Sequence, residues 1–201
     1  MTRTANNDCL GVVLAGGLSS RMGQDKAKLL RDKHSMLAFS KQILLESGIS
    51  NIVISGDNYQ IPDNVKESGP VGGILSVLSR FPHIKSLLIL PVDLPLMKAS
   101  ALTELRVKGE LSHKATYFKG HNIPLFLPNN SYVELFLAQA FTPSSCTAET
   151  QEGSRFKNKG PSIKALLNQI PHQAIHCNDS NMLFNTNTPE EWQQARKQFN
   201  F

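Results

Sequence analysis

Short apolar runs alternate with amphipathic segments over the first half of the chain. The runs predict buried strands, which lie at 10–15, Asn51–Ser55 and Ser86–Pro91. The third run shows no polar alternation, which is typical of a parallel strand covered on both faces. Between the runs, apolar residues recur at helical spacing, for example at Val71, Ile74 and Leu78. The pattern predicts a three-layer α/β/α fold with a mostly parallel central sheet.

The second half carries weaker patterns of the same kind. Apolar content predicts further strands at 114–119, 123–127 and 172–177. One-sided apolar faces predict helices at 133–140, at 163–170 and from Pro189 onward. Residues 142–159 are polar and lack periodicity, which predicts a loop. Because no repeat or linker interrupts the chain, we expect a single domain over residues 1–201.

Composition and charge indicate an ordinary globular protein with an anionic partner. The 201 residues are 40% hydrophobic and 18% charged, which excludes disordered, coiled-coil and collagen-like chains. The net charge of +5 is compatible with nucleic acid, a phosphorylated metabolite or a membrane surface. The basic residues form no run and do not interleave with aromatic residues, so nucleic acid is not expected. No apolar run reaches spanning length, so no membrane partner is expected.

Cysteine usage and the polar first residues predict a cytoplasmic protein. Cys9, Cys146 and Cys177 are far apart and match no disulfide or metal-binding spacing. We therefore expect three reduced thiols, as in the cytoplasm. The first residues lack the apolar core of a secretory signal.

A glycine-rich loop after the first strand is the strongest chemical signal. Gly16 and Gly17 follow the strand directly, so their N–H groups can approach a phosphate without a Cβ atom in the way. Arg21 and Lys26 supply cations for the same anion. A structural turn with solvated charges would explain two glycines alone, but it explains the whole combination less well. The spacing matches neither the P-loop nor the dinucleotide-binding motif.

A carboxylate follows the most apolar strand. Asp93 lies between Pro91 and Pro95, at the carboxyl end of a predicted parallel strand, where ligands bind in such sheets. It suits Mg²⁺, which takes one or two carboxylates together with phosphate oxygens and water. A turn aspartate that caps the helix near Lys98 explains it equally well from the sequence alone.

Two further segments precede predicted helices. Residues 68–73, SGPVGG, permit close approach of a ligand to a helix N-terminus, or they simply form a helix that starts at proline. Thr188 and Glu191 fit a capping box ahead of the last helix. The box does not explain Asn185 and Asn187, which would share one face on a strand.

Taken together and in chain order, the four segments described above resemble those of a known family over nearly the whole chain. The sequence is similar to the molybdenum cofactor guanylyltransferases (MobA) and related nucleotidyltransferases. The resemblance implies a Rossmann-like nucleotidyltransferase fold and transfer of GMP from GTP to the phosphate of molybdenum-bound molybdopterin, with pyrophosphate released. It also implies Mg²⁺ as the cofactor and transient contacts with other proteins of cofactor biosynthesis. The similar segments are LAGGLSSRMGQDKAKL, SGPVGGILSVL, LLILPVDLPLM and FNTNTPEEW.

The resemblance also assigns roles by position. Arg21, Lys26 and Asp93 would be catalytic, with Asp93 as the metal ligand, and Asn185 and Asn187 would face the acceptor. The nucleotide-binding residues would be Leu14, Ala15, Gly16, Gly17, Lys26, Ser55, Glu67, Gly69, Gly73 and Asp93. Residues 1–110 would then form the nucleotide-binding half and residues 111–201 the acceptor half. We expect the basic loop 142–159 to close over the anionic pterin.

Four positions depart from the family pattern. Ser55 stands where asparagine is typical, Ile123 where histidine is common, and Val92 where a cysteine usually precedes the metal aspartate. Glu67 is the acidic residue close to the glycine–proline turn, where the family usually has a longer spacer. Three alternatives therefore stay open: CTP in place of GTP, a sugar phosphate as acceptor, or a nucleotide-binding module without activity. The combination of Arg21, Lys26 and Asp93 favours an enzyme.

Overall fold

The computed structural model of the chain describes residues 8–16, 25–142 and 160–199. Gly17, Arg21 and Cys146 lie outside the described residues, as does the predicted loop beyond Thr142. Cys9 and Cys177, which are described, are both free thiols.

Six strands form one mixed sheet in the described part of the chain. They are β1 (Cys9–Leu14), β4 (Asn51–Ser55), β5 (Ser86–Pro91), β6 (Ala115–Phe118), β7 (Leu125–Pro128) and β8 (His172–Ile175), and a separate hairpin joins β2 (Leu30–Arg31) to β3 (His34–Ser35). The spatial order in the sheet is β4-β1-β5-β7-β6-β8. Only β7 runs antiparallel to its neighbours in this sheet, and the remaining pairs are parallel. The predicted mostly parallel sheet is confirmed.

Helices cover both faces of the sheet. They are α1 (Met36–Glu46), α2 (Gly69–Arg80), α3 (Ala99–Ser112), α4 (Ser131–Phe141), α5 (Ile163–Leu167) and α6 (Pro189–Phe199). The first core cluster holds residues of α1, α3 and α6, and the second holds residues of α2, α4 and α5. Leu88 and Leu90 of β5 belong to the first cluster, whereas Leu87 and Ile89 belong to the second. This double burial explains the unbroken apolar run, and it confirms the three-layer fold.

Some local structure differs from the sequence expectation. The strand expected at 123–127 begins at Leu125, and the helix expected at 163–170 ends at Leu167. The β2–β3 hairpin was not predicted, because two residues per strand are too few for an alternation to show. Its turn residues Asp32 and Lys33 have φ of 48° and 71°, values that occur together in a type I′ turn.

The carboxyl ends of three parallel strands meet at one edge of the sheet. Leu14 at the end of β1 is in register with Ser55 of β4 and Pro91 of β5. The segments that follow these strands therefore emerge side by side, as the sequence analysis requires for a common site. Among the described residues, no helix has both the length and the apolar content needed to cross a membrane.

Candidate active site at the carboxyl edge of the sheet

Lys26 joins three distant segments of the chain at this edge. Its Nζ atom donates to Oδ2 of Asp93 at 3.1 Å and to Oδ1 of Asn187 at 2.7 Å. The side chains of Lys26 and Asp93 are only 15% and 17% exposed. An ammonium group has three N–H donors, so one of them remains for an incoming anion. The structure thus brings together three residues that the family resemblance assigned separately.

The local sequence around Lys26 fixes its backbone. Residues Lys26–Lys28 form a single 3₁₀ turn, and Asp25 caps this turn by accepting from the N–H of Ala27 at 3.0 Å. Ala27 and Leu29 on either side of Lys28 are buried. Lys26 therefore starts from an anchored turn, and its side chain extends toward β5.

Asp93 is held through its backbone, which leaves its carboxylate available. Its carbonyl oxygen accepts from the backbone N–H and the hydroxyl of Thr186, at 3.0 and 3.2 Å. Its Oδ1 atom is buried and has no hydrogen-bond partner among the described residues. The alternative role as a helix cap is wrong, because α3 begins after Lys98 with no side-chain cap and Asp93 pairs with Lys26 instead.

The donor set around Asp93 fits Mg²⁺. A buried carboxylate oxygen without a partner is a hard ligand for this ion, which needs only one or two carboxylates besides substrate oxygens and water. No cluster of three or more His, Cys, Asp or Glu side chains suited to a metal occurs among the described residues. A metal at Asp93 would therefore depend on the phosphates of a bound nucleotide for further ligands.

A capping box at the start of α6 positions Asn187. Oε2 of Glu191 accepts from the backbone N–H groups of Asn187 and Thr188, at 2.6 and 3.0 Å, and the Glu191 N–H donates to Thr188 Oγ1 at 3.3 Å. The predicted box is therefore confirmed. The segment before it is an irregular connection and not a strand, so the strand geometry invoked for the two asparagines does not apply. Asn187 contacts Lys26, whereas Asn185 is exposed.

A second cluster at the same edge combines Gly73 of α2 with the ends of β1 and β4. A Cβ atom placed on Gly73 would lie 2.8 Å from Oγ of Ser55 and 3.3 Å from Cδ2 of Leu14. The backbone N–H of Ala15 donates to the carbonyl of Ser55 at 2.9 Å. The glycine at 73 is thus needed for close packing of α2 against the ends of β1 and β4. The structure brings these predicted nucleotide-binding residues together, and Ser55 among them is buried.

Asp63 belongs to this second cluster and was missed in the sequence analysis. Its Oδ2 would lie 3.8 Å from a Cβ on Gly16, and its Oδ1 would lie 3.7 Å from a Cβ on Gly73. Burial, and secondarily the nearby Asp57, raise the pKa of the Asp63 carboxyl above its usual value. Ile61, an apolar residue in a polar stretch, could have indicated that this segment lies at the sheet. It is buried and pairs with Ser55 in an isolated bridge.

Glu67 and Gly69, which the family resemblance assigned to the nucleotide, lie at an exposed turn and not in the cluster around Gly73. Glu67 and Gly69 are exposed and have φ of 57° and 67°. A Cβ on Gly69 would meet no described atom within 4 Å, so this glycine serves the left-handed backbone of the turn. Asp63, four residues before Glu67, is the acidic side chain that lies beside Gly16 and Gly73.

More than half of the chain matches one known protein family. Residues 11–137 match the family model of the MobA-like NTP transferase domain. The chain belongs to this family. The matched range contains the ends of β1, β4 and β5 with Lys26 and Asp93, whereas Asn187 lies beyond it. Membership in a transferase family supports transferase activity.

Individual relatives extend the match over nearly the whole chain. The molybdenum cofactor guanylyltransferase of Xanthomonas euvesicatoria is 31% identical over 187 residues, which cover 90% of this chain and 91% of the relative. The enzyme of the same name from Rhizobium meliloti is 30% identical over 92% of this chain and 88% of the relative. Molybdopterin-guanine dinucleotide biosynthesis protein A from Archaeoglobus fulgidus has a similar structure, with a TM-score of 0.68 over 94% of this chain and 97% of that one. At 18% identity, the last likeness shows the fold alone.

Proposed function

We propose that this MobA-like protein transfers GMP from GTP to the phosphate of molybdenum-bound molybdopterin in the cytoplasm, with Mg²⁺ as cofactor. The observation that carries the proposal is the position of Lys26 between Asp93 and Asn187. Asp93 lies at the end of a nucleotide-side strand, and Asn187 comes from the segment assigned to the acceptor. A cation between them stands where a donor phosphate and an acceptor phosphate would meet. The relatives from Xanthomonas euvesicatoria and Rhizobium meliloti are molybdenum cofactor guanylyltransferases by name, which supports the choice of donor and acceptor.

The reaction is an in-line displacement at the α-phosphorus of the nucleotide. An oxygen of the acceptor phosphate forms the new bond to the α-phosphorus, and the bond to the bridging oxygen of the β-phosphate breaks. The electron pair leaves with pyrophosphate. Because the nucleophile is already an anion, no strong general base is required, and catalysis consists of positioning and charge stabilisation.

The residues divide this work between them. Lys26 has a free N–H donor for a phosphate oxygen, while its other two donors keep the side chain in place. Oδ1 of Asp93 would hold Mg²⁺, which supplies positive charge to the triphosphate and to the departing pyrophosphate. Gly17 and Arg21 are expected from the family resemblance to add phosphate contacts.

The carboxylate proposed to contact the nucleotide base favours guanine. The Asp63 carboxylate presents two acceptor oxygens beside Gly16 and Gly73. Guanine offers two adjacent donors on its Watson–Crick edge, N1–H and the N2 amino group, whereas cytosine offers one amino group there. A carboxylate therefore pairs more completely with guanine.

The decisive experiment compares GTP and CTP. Calorimetric titration in the presence of Mg²⁺ should show GTP binding at least about tenfold more tightly, the difference expected from one additional hydrogen bond to a charged group. Addition of molybdenum-bound molybdopterin should then release pyrophosphate. Lys26→Ala should abolish this release, and Lys28→Ala, which changes an exposed lysine of the same turn, should retain it.

Each contrary outcome identifies a different error. Tighter binding of CTP would overturn the choice of guanine. Binding of GTP followed by transfer only to a sugar phosphate would overturn the acceptor. Binding without pyrophosphate release for any acceptor would mean that the protein is a nucleotide-binding module.

A further inference from the structure

One turn contacts both flanks of the segment 17–24, within which Arg21 lies. This base-side turn, residues 56–59, follows β4 and closes with a hydrogen bond from the N–H of Tyr59 to the carbonyl of Gly56 at 2.9 Å. Gly56 has φ of 151°, and a Cβ atom there would lie 2.8 Å from the backbone nitrogen of Gly16 and 3.1 Å from Cδ2 of Tyr59. The turn is therefore packed directly against Gly16, the residue before the segment.

The same turn is hydrogen-bonded to Asp25, the residue after the segment. The hydroxyl of Tyr59 donates to Oδ2 of Asp25 at 2.9 Å. Oδ1 of Asp25 accepts from the N–H of Ala27, so both oxygens of this carboxylate are engaged. Burial, together with the contact to Asp25, raises the pKa of Tyr59 to about 12. The hydroxyl therefore remains a donor over the whole physiological range.

Asp25 transmits this contact to the active-site lysine. It caps the 3₁₀ turn whose first residue is Lys26, and Lys26 contacts Asp93 and Asn187. Two hydrogen bonds, Tyr59 to Asp25 and Ala27 to Asp25, thus connect the base-side turn to the 3₁₀ turn that carries Lys26. Ser55 and Asp63, which flank the same turn in sequence, lie at the proposed base site.

We propose that Tyr59 is a positioning residue: through Asp25 it holds Lys26 in a fixed relation to the nucleotide base. The inference rests on the proposed function, because it assumes that Lys26 serves the transferred phosphate. A nucleotide whose base is seated beside Asp63 would then meet a lysine already placed for the reaction. Loss of the Tyr59 hydroxyl would leave the base contacts intact and release the lysine.

The test is Tyr59→Phe, which keeps the ring against Gly56 and removes only the hydroxyl. With GTP and molybdenum-bound molybdopterin, we expect kcat to fall about tenfold, as for loss of one hydrogen bond to a charged group, with little change in the KM for GTP. Trace acylation of amines, read by mass spectrometry, should show faster labelling of Lys26 and unchanged labelling of Lys85. The matched control is Tyr132→Phe, which changes an exposed tyrosine of α4 and should behave as wild type.

A double-variant cycle tests the route through Asp25. In an Asp25→Ala background, Tyr59→Phe should cause no further change in kcat or in Lys26 labelling, because the transmitting carboxylate is gone. Asp25→Ser, whose hydroxyl can accept from the N–H of Ala27 but leaves no second oxygen for Tyr59, replaces Asp25→Ala if that variant does not fold. Labelling needs no activity, so it reports on Tyr59 even if wild type transfers nothing, a result that would overturn the proposed function alone. Wild-type labelling and kcat in Tyr59→Phe, or an undiminished effect without Asp25, would overturn the inference.

Discussion

The carboxylate of Glu191 accepts a hydrogen bond from the backbone N–H of Asn187 at 2.6 Å, and the amide oxygen of Asn187 in turn accepts from Lys26. The same carboxylate caps α6 together with Thr188. One side chain therefore caps a helix and fixes the backbone of Asn187, the residue proposed to face the acceptor. The capping box, which the sequence alone explains as local structure, also holds a hydrogen-bond partner of Lys26 in place.

Glu191→Ala should lower both stability and turnover. Loss of the cap should reduce the free energy of unfolding by about 1 kcal/mol. Release of Asn187 should lower kcat by about tenfold, since one hydrogen bond to the charged Lys26 is weakened. Thermal unfolding and pyrophosphate release measure the two effects. Glu190→Ala, which changes the exposed neighbouring residue, is the control and should retain turnover. A variant that loses stability but keeps kcat would show that the box serves only the helix.

Asp93→Ala should fold normally and lose turnover. Removal of the carboxylate takes away the proposed Mg²⁺ ligand and the partner of Lys26, and loss of one such charge-stabilising group typically costs roughly 10³-fold or more in rate. Circular dichroism checks the fold, and pyrophosphate release at saturating Mg²⁺ checks the rate. Asp8→Asn, which disrupts the exposed pair with Lys85, is the matched control. A wild-type rate in Asp93→Ala would remove Asp93 from the mechanism.

Lys33→Gly should stabilise the β2–β3 hairpin. Lys33 has φ of 71°, a left-handed conformation that costs an L-residue roughly 1 kcal/mol and glycine very little. The greater freedom of glycine in the unfolded chain offsets part of this gain, so we expect the melting temperature to rise by only a few degrees. Lys33→Gly also removes a positive charge. Lys33→Ala is therefore the control, because it removes the same charge and keeps the backbone strain. An equal rise in both variants would mean that the charge, and not the backbone, is responsible.

The elements that the sequence predicted well are those with a long apolar run or a regular apolar face. β5 is buried on both faces, so an unbroken apolar run located it, and α2 carries a regular apolar stripe, so helical periodicity located it. The placement of Asp93 followed in turn, since the end of a parallel strand is a known ligand position.

The contacts that periodicity could not predict join residues far apart in sequence. Lys26 and Asn187 are separated by 161 positions, and nothing local to either residue indicates the other. Asp63 was missed for a related reason, because its segment has no regular structure. The segment lies at the edge of the sheet because Ile61 is buried there and pairs with Ser55. The family resemblance supplied Lys26 and Asn187 and assigned an acidic nucleotide contact to Glu67, whereas Asp63 is the acidic side chain that lies beside Gly16 and Gly73.

Asp63→Asn should raise stability at neutral pH and weaken GTP binding. Burial raises the pKa of the Asp63 carboxyl in the folded protein above its ordinary value of 3.8. Over the pH interval between the two values the folded state binds more protons than the unfolded state, so stability falls as pH rises through that interval. At neutral pH the protein therefore carries a desolvated carboxylate at a cost, and asparagine removes this cost.

The same substitution removes the acceptor pair proposed for guanine, so stability and affinity should change in opposite directions. Urea unfolding of wild type and Asp63→Asn over a pH series measures the first change, and the stability advantage of the variant should grow as pH rises through this interval. Calorimetric titration with GTP at neutral pH measures the second. Asp57→Asn is the control: Asp57 is exposed and is the lesser cause of the raised pKa, so most of the Asp63 contribution to the pH dependence and the GTP affinity should remain. A variant that binds GTP as wild type does would place the base elsewhere, because a carboxylate that faces guanine N1–H and N2 cannot be replaced by an amide without turning an acceptor into a donor.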